Sequence, residues 1–333
     1  MTILQSTSTE TSTGFSGVLI AVMKKPLTVA LLLIALLLAA GEALSPGFAS
    51  LEQVLRLSIV AALLGIVAAG QNLVILGGRE GIDLSVGGVV SLAAVLAGNL
   101  MDGSNANILM AIVVCLAVGG FIGLLNGVSI TMFGIPPLVM TLGMLGVLQG
   151  LLVVIRNGIP SGLAAPALAT FVSQPFLFGL PGLIWLWIAV GILMALMLTR
   201  TAFGYRIYAI GSNENAALMA GVPVKSIRVA LFVLSGMFAA LAGICILGYS
   251  GSSFANVGDR YMLSSIIAVV LGGTALAGGS GAYTGTMAGA ILLVLMQSIL
   301  TTLNMGEAGR QIIFGATLLF LLLFYGRNKA LRG

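Results

Sequence analysis

The chain has 333 residues, of which 59% are hydrophobic and only 7% are charged, with a net charge of +5 and no histidine. This composition lies far outside the range of water-soluble domains and indicates a protein embedded in a lipid bilayer. The sequence lacks histidine, the commonest general base and metal ligand, and it lacks the GxSxG, HExxH and GxxxxGKS/T motifs. We therefore expect neither an enzyme nor a built-in ATPase, and no catalytic or metal site.

A Ser/Thr-rich stretch over residues 1–25 shows no apolar periodicity and predicts a loosely held polar tail. A helix needs about 20 apolar residues to cross the hydrocarbon core of a bilayer. On that basis residues 26–326 form an all-α membrane domain with about ten transmembrane helices, and residues 327–333 form a basic C-terminus. The predicted spans are 27–44, 53–77, 84–100, 107–131, 136–155, 179–199, 228–249, 261–276, 282–303 and 310–326.

Two of these segments, near 84–100 and 261–280, are short or interrupted by glycine, so each either crosses the membrane broken or re-enters on the same side. The sequences ILGGREGIDLSVGG from Ile75 and VLGGTALAGGSGAYTG from Val270 also resemble each other. Their similarity predicts an internal two-fold repeat, with the copies either parallel or inverted. Paired glycine-broken segments in two halves are a pointer to a transport pathway.

Most of the 14 Lys and Arg residues lie on one predicted side, including the 200–227 loop. The other side holds only Arg56, Arg156, Arg260 and Arg310. Because short cytoplasmic loops carry the excess of positive charge, the sequence predicts that both termini and the 200–227 loop face the cytoplasm. Asp259 and Glu307 then lie outside.

Asp83 is the most informative polar residue within the spans, because a carboxylate at membrane depth is costly unless it faces water or protein or caps a helix. Asp83 directly precedes an apolar helix, so one interpretation is that its carboxylate accepts the free N–H groups there. The other is a direct role in solute passage. Pairing with Arg79 and Glu80 to close an inner gate is a further hypothesis.

Few uncharged polar side chains fall inside the spans, and a polar neutral solute such as a sugar needs groups of this kind along its path. The predicted pathway or gate residues are Gln71, Asn72, Asp83, Ser85, Asn126 and Thr141. Two glycine series spaced four apart, one through Gly123 and one through Gly285, predict faces where helices pack closely.

The loop 200–227 is long and basic for a connection between spans. Ser212 and Asn213 are favourable N-caps for the sequence ENAALMAG, and Gly221 and Pro223 are suited to end that short helix. A helix lying across the cytoplasmic face is a surface that a separate nucleotide-binding subunit can grip.

This loop also carries a family resemblance. Its pattern Thr201, Gly204, Ala209, Gly211, Asn213, Asn215, Ala216, Ala217 and Gly221 resembles the coupling segment of permease subunits of ribose-type ABC importers. The motifs GIDLSVG from Gly81, GLLNG from Gly123, PPLVMTLGML from Pro136 and LGGTALAGGSGAYTG from Leu271 resemble that family's other motifs in order and spacing. Arg79 and Glu80 depart from the family's commonly neutral pattern.

The resemblance implies a transmembrane permease subunit that moves a monosaccharide, such as a ribose-like pentose, a hexose or a related polyol, across the bacterial inner membrane. It implies a second permease copy or paralogue, a separate ABC ATPase subunit that holds ATP and Mg, and a periplasmic substrate-binding protein. It implies no nucleic-acid partner and no cofactor in this chain. The coupling residues would be Arg206, Gly211, Ser212, Asn213, Asn215, Ala216, Ala217 and Gly221. The docking residues for the binding protein would be Asp259, Arg260, Glu307 and Arg310.

Two other functions stay open from the sequence. A branched-chain amino-acid ABC permease has a similar architecture, but its zwitterionic substrate favours charged partners, which are scarce in these spans. An ion-coupled secondary transporter would work without an ATPase, but proton coupling usually uses buried acidic residues.

Overall fold

A computed structural model describes residues 26–78, 81–156 and 162–330. It is almost entirely helical. The helices are α1 (Pro26–Leu44), α2 (Leu51–Leu76), α3 (Val86–Met101), α4 (Ile108–Met132), α5 (Pro137–Arg156), α6 (Pro166–Ser173), α7 (Gly182–Arg200), α8 (Ala202–Ser212), α9 (Glu214–Met219), α10 (Val224–Ser250), α11 (Asp259–Leu271), α12 (Tyr283–Thr302) and α13 (Glu307–Ala330). A 3-10 turn at Asn105–Asn107 follows α3, and a short antiparallel hairpin, β1 (Pro175–Leu177) with β2 (Leu180–Pro181), precedes α7.

The structure confirms an all-α membrane protein. In the described residues, 6 helical segments are long and apolar enough to span a bilayer: Leu51–Leu76, Asn105–Met132, Pro137–Ile155, Gly182–Arg200, Val224–Ser250 and Tyr283–Thr302. Thr28–Leu44 and Val86–Met101 are shorter apolar helices. Each of the predicted apolar segments coincides with a helix to within a few residues, because a continuous apolar run has no polar residue to stop it.

Helix α10 is the centre of the fold and packs against α2, α3 and α4. The series through Gly123 permits this close packing, since a Cβ on Gly123 would overlap the backbone of Phe232 in α10. Gly285 of α12 likewise lies directly against Gly272. Both predicted glycine faces are therefore packing surfaces, as expected where small residues let helices approach.

Helices α2 and α11 end in the same way. Gly77 and Gly272 continue the right-handed backbone, and the next residues, Gly78 and Gly273, have positive φ angles of 71° and 87°. In each case the N–H of the second glycine bonds the carbonyl three residues before it. A residue with a side chain disfavours this left-handed conformation, so the two glycine pairs serve as matched helix stops.

The two glycine-broken segments run in opposite directions relative to α8 and α9. The first segment follows Leu76, whose carbonyl accepts from Gly279 N–H, and its helix α3 leads to Gly103, whose N–H donates to Leu163 O. Residues 259–282 start beside α3, where Gly258 contacts Gly87, and finish where Gly279 contacts Leu76. One segment therefore leads away from α8 and α9, and the other leads toward them. We call the end of the molecule that contains α8 and α9 the α8–α9 end, and the opposite end, where α3 finishes, the far end.

Candidate functional site

Helices α8 and α9 form a compact polar unit between α7 and α10. Thr201 starts α8 by accepting a hydrogen bond from Gly204 N (3.1 Å), and Asn213 starts α9 by accepting one from Ala216 N (3.0 Å). Gly221, with a φ of 78°, ends the turn. The predicted short helix is confirmed, with Asn213 as its cap. The sequence did not predict α8 as a helix, and it is held by burial of Ile207 and Ile210.

The predicted coupling residues divide into an exposed set and a packed set. The exposed ones are Arg206, Ser212, Asn213, Asn215, Ala216 and Gly221. Ala217 is only 5% exposed and Gly211 is half-buried, so these two support the unit from within. Sequence reasoning missed Leu218 and Met219, which are 61% and 91% exposed and give this polar surface an apolar patch.

Gly211 belongs to a backbone contact that we call the glycine junction, formed by Gly78, Gly211 and Gly279. Gly279 N–H donates to Leu76 O (3.0 Å), and a Cβ on Gly78 would lie 2.9 Å from Gly211 Cα. A Cβ on Gly211 would overlap both Leu76 O and the Gly279 backbone. The end of α8 therefore touches both glycine-broken segments directly, with no side chain between them.

A partly buried ion pair fastens α9 to the base of α10. The Arg228 guanidinium makes two bonds to the Glu214 carboxylate, Nη1 to Oε1 at 3.2 Å and Nη2 to Oε2 at 3.0 Å. The Arg228 side chain is 10% exposed and that of Glu214 is 29% exposed. Such paired geometry adds directional specificity as well as attraction. The sequence analysis assigned no role to either residue, although each stands at the edge of an element.

Asp83 is buried at the centre of a hydrogen-bonded group that we call the Asp83 cluster: Gln71, Asp83, Ser85, Asn126 and Ser235. The carboxylate accepts from Ser85 Oγ (2.6 Å), Ser85 N (3.0 Å) and Ser235 Oγ (2.8 Å). Asn126 Nδ2 donates to Ser85 Oγ (2.9 Å). The Gln71 amide pairs with the Asp83 backbone, donating to its O (3.1 Å) and accepting from its N (3.3 Å).

This arrangement corrects the predicted helix cap. Ser85, not Asp83, occupies the N-cap position of α3, and the Asp83 carboxylate binds the loop that leads into the helix. The side chain of Asp reaches the N–H two residues ahead, which forms an Asx turn. Arg79 and Glu80, predicted as possible gate partners, lie outside the described residues.

The remaining pathway candidates lie close by. Thr141 Oγ1 donates to Pro137 O (2.9 Å) and approaches Ile82 O (3.4 Å), next to the Asp83 cluster. Asn72 lies beside the second glycine-broken segment. Its Nδ2 donates to Thr274 Oγ1 (2.9 Å) and to Thr286 Oγ1 (3.0 Å). All six predicted residues are therefore buried, and they bond the two broken segments to their neighbouring helices.

The four predicted docking charges come together at the far end. Asp259 and Arg260 open α11, whereas Glu307 and Arg310 open α13, and all four line one cavity. Arg310 hydrogen-bonds Glu307 and donates from Nη1 to Thr301 Oγ1 (2.7 Å). Hydrogen bonds from Arg310 and then Gln311 lower the pKa of Glu307, which keeps the carboxylate ionised at neutral pH.

Comparison with known proteins places the chain in a family. Residues 53–322 match the family described as branched-chain amino acid transport system / permease component. The Autoinducer 2 import system permease protein LsrC of Escherichia coli O9:H4 (strain HS) is 36% identical over 301 residues, which are 90% of this chain and 86% of that protein. LsrC of Shigella flexneri shows the same identity and coverage.

The Ribose import permease protein RbsC of Escherichia coli (strain K12) is 32% identical over 304 residues, or 90% of this chain and 93% of that protein. No solved structure is detectably similar. The family match covers most of the chain, and the relatives align along nearly their whole length. The chain therefore belongs to the family of branched-chain amino acid transport system permease components.

Proposed function

We propose that this chain is the transmembrane permease subunit of a binding-protein-dependent ABC importer for a monosaccharide or related polyol. The observation that carries the proposal is near-full-length similarity to permease proteins named for autoinducer 2 and ribose import. The family's own description names branched-chain amino acids, so that substrate class is the second candidate. The buried amides and hydroxyls of the predicted pathway favour the neutral polar solute.

The α8–α9 unit is the proposed contact for a separate ATPase subunit, which binds the ATP and Mg. Its surface supports this role because the apolar side chains of Leu218 and Met219 are exposed there among polar residues. The glycine junction connects that surface to both broken segments by direct backbone contact. Movement imposed on α8 by the ATPase therefore reaches the segments that surround the predicted pathway.

The six predicted pathway residues are proposed to act as a gate, because they hold the broken segments in place through hydrogen bonds that can break and reform. The far-end charges Asp259, Arg260, Glu307 and Arg310 are proposed to dock the substrate-binding protein. Their position at the end opposite α8 and α9 supports this assignment. A donor protein and an ATPase would then approach opposite ends of the same subunit.

We further propose ten membrane crossings in the bacterial inner membrane, with both termini cytoplasmic. The ten helices other than α6, α8 and α9 supply these crossings, and α3 and α11 cross as broken rather than re-entrant segments. The matched glycine stops of α2 and α11 support a parallel local repeat. Exposed apolar faces on α4, α5 and α7 are available for lipid and for a second permease copy.

Uptake in whole cells tests the function. A strain that lacks this chain, with and without a plasmid copy, is given labelled D-ribose, D-xylose, D-galactose, myo-inositol or L-leucine. We expect the chain to restore uptake of at least one of the four polyhydroxylated solutes, which are three sugars and myo-inositol and are called the four polyols below. Uptake should stop when ATP is depleted by arsenate and persist briefly with an ionophore. Restoration of leucine uptake alone would establish the second candidate, and loss with the ionophore at constant ATP would indicate ion coupling.

A further inference from the structure

The far end contains an open polar cavity of about 630 Å³ between α3, α5, α11, α12 and α13. This volume lies within the range of about 300–1,000 Å³ typical of small-molecule sites. The first turns of α11 and α13 line it, together with Leu145 and Gln149 of α5. The cavity therefore exists in the folded chain without any side chain moving.

The lining combines balanced charges with carboxamides. The charges are two carboxylates and two guanidiniums, from Asp259, Arg260, Glu307 and Arg310. The carboxamides are Gln149, Asn256, Gln297 and Gln311. Because the opposite charges compensate each other, the lining does not favour a ligand with a net charge. Each amide offers both donors and an acceptor, which matches a solute with several hydroxyl groups.

Arg310 is fixed within this wall. Its guanidinium hydrogen-bonds Glu307 and donates from Nη1 to Thr301 Oγ1 (2.7 Å), and its Nε is inaccessible to solvent. Because Nε does not face the open space, Arg310 holds the wall in place, and contact with a solute falls to the carboxamides of the lining.

Gly87, which lines the cavity, belongs to a close contact between the two glycine-broken segments. Gly258 N–H donates to Ser91 Oγ of α3 (2.9 Å), and a Cβ on Gly258 would overlap Gly87 O. Gly87 follows the Asp83 cluster by only two residues, since Ser85 belongs to that cluster. A solute in the cavity would therefore lie against the first turn of α3, which directly follows the Asp83 cluster.

A second groove of about 490 Å³ adjoins the cavity and shares Asp259, Arg260, Leu263, Gln297, Glu307 and Gln311 with it. It adds the polar residues Gln53, Ser298 and Thr301 and the aliphatic residues Leu57, Val60 and Leu64 of α2. The combination of hydroxyls and amides with an apolar wall suits a sugar, whose ring has polar edges and C–H faces. Gln297 stands at the boundary between the two spaces.

We propose that this cavity is the solute-receiving site of the permease and that it holds a neutral polyhydroxylated molecule through Gln149 and Gln297. The assignment rests on the proposed import function. It gives the far-end charges a second role, because they frame the cavity mouth as well as the proposed docking face. The donor protein would then release its solute directly above the amides.

Cysteine labelling tests the site, because both native cysteines, Cys115 and Cys245, are buried and should not react. Gln149→Cys and Gln297→Cys are placed in the full chain in its native membrane with its partners. Ala106→Cys is the matched control, since Ala106 is exposed at the far end but does not line the cavity. Labelling by a membrane-impermeant methanethiosulfonate reagent is timed with and without each of the four polyols or L-leucine.

We expect at least one polyol to slow labelling several-fold at both cavity positions and not at Ala106→Cys. Equal rates with and without every polyol, or protection by leucine alone, would overturn the site. Slowing at all three positions would also overturn it, as an effect on the reagent. Uptake measured in the same strains separates the two proposals: ATP-dependent polyol uptake without protection leaves the function standing and rejects only this cavity.

Discussion

The two ends of the molecule are built in opposite ways. At the α8–α9 end, Gly78, Gly211 and Gly279 bring three backbone segments into direct contact, which leaves no space for a solute between these segments. At the far end, long polar side chains border a cavity of about 630 Å³. Two broken segments that are closed against each other at the glycine junction and border an open cavity at the far end have the form that alternating access requires of one of its states.

The difference also separates two kinds of sensitivity to substitution. Close backbone contacts tolerate no added atoms, because neighbouring main chain cannot rotate away as a side chain can. Amide-lined surfaces tolerate changes of size and lose only particular hydrogen bonds. Substitutions at the glycine junction should therefore affect folding and transport together. Substitutions at the far-end cavity should change solute binding and leave folding unchanged.

The largest effect is expected for Gly211→Leu, because its side chain would overlap Leu76 and the Gly279 backbone. We expect loss of transport and a destabilisation of about 3 kcal/mol or more. Thermal unfolding in detergent, together with uptake, measures both. Gly143→Ala in α5 is the control, since no atom lies within 4 Å of the added Cβ. Wild-type behaviour of Gly211→Leu would show that the junction is not closed as described.

Asp83→Ala should rank next, since it leaves three hydrogen-bond donors without an acceptor. We expect a loss of about 3 kcal/mol, against about 1 kcal/mol for Asp83→Asn, which keeps an oxygen for Ser85 and can donate to Ser235. Unfolding and uptake of the two variants are compared. If Asp83→Asn folds normally but transports nothing, the charge itself acts in solute passage, and a purely structural role is wrong.

Breaking the pair between Glu214 and Arg228 should cost about 2 kcal/mol for either single alanine substitution, since each removes a charged hydrogen-bond partner at a largely buried site. The exchange Glu214→Arg with Arg228→Glu tests whether the pairing itself matters. We expect the double variant to recover part of the lost stability and part of the ATPase-dependent uptake. Strictly additive losses would mean that the two residues act separately.

The smallest effect is expected for Gly143→Ala itself. Alanine has a higher helix propensity than glycine, so this substitution should raise stability by up to about 1 kcal/mol and leave uptake unchanged. A loss of stability would show that another protein contacts this face of α5. A second permease copy would be the first candidate to test. Crosslinking of a cysteine at the same position would then identify the neighbour.

Much of the helical framework was predictable, because membrane helices follow long apolar runs and glycine pairs end two of them. The Asn213 cap was also readable from local chemistry. Helix α8 was missed because Gly204 and Gly211 resemble loop residues, although Phe203, Ile207 and Ile210 repeat at helical spacing. Tertiary burial of that stripe outweighs the weak local propensity.

The contacts across the chain were harder to predict. Gly211 was assigned to the coupling surface, but its contact with Leu76 depends on how α8 packs, which local pattern does not specify. Likewise, Asp259 and Glu307 are far apart in sequence and meet only because α11 and α13 start at the same end. The amides Gln149 and Gln297 carried no distinguishing motif, so the cavity became visible only in three dimensions.

The central claim is that α9 binds a separate ATPase subunit, and co-purification tests it most directly. The tagged chain is purified in mild detergent from its native membranes as wild type, as Met219→Glu and as Leu51→Glu. Both substitutions place a carboxylate on an exposed apolar side chain, at the α8–α9 end and the far end respectively. We predict that an ATPase subunit accompanies the wild type and Leu51→Glu but not Met219→Glu, with unchanged thermal unfolding. An ATPase that stays with Met219→Glu, or that accompanies none of the three, would contradict the account.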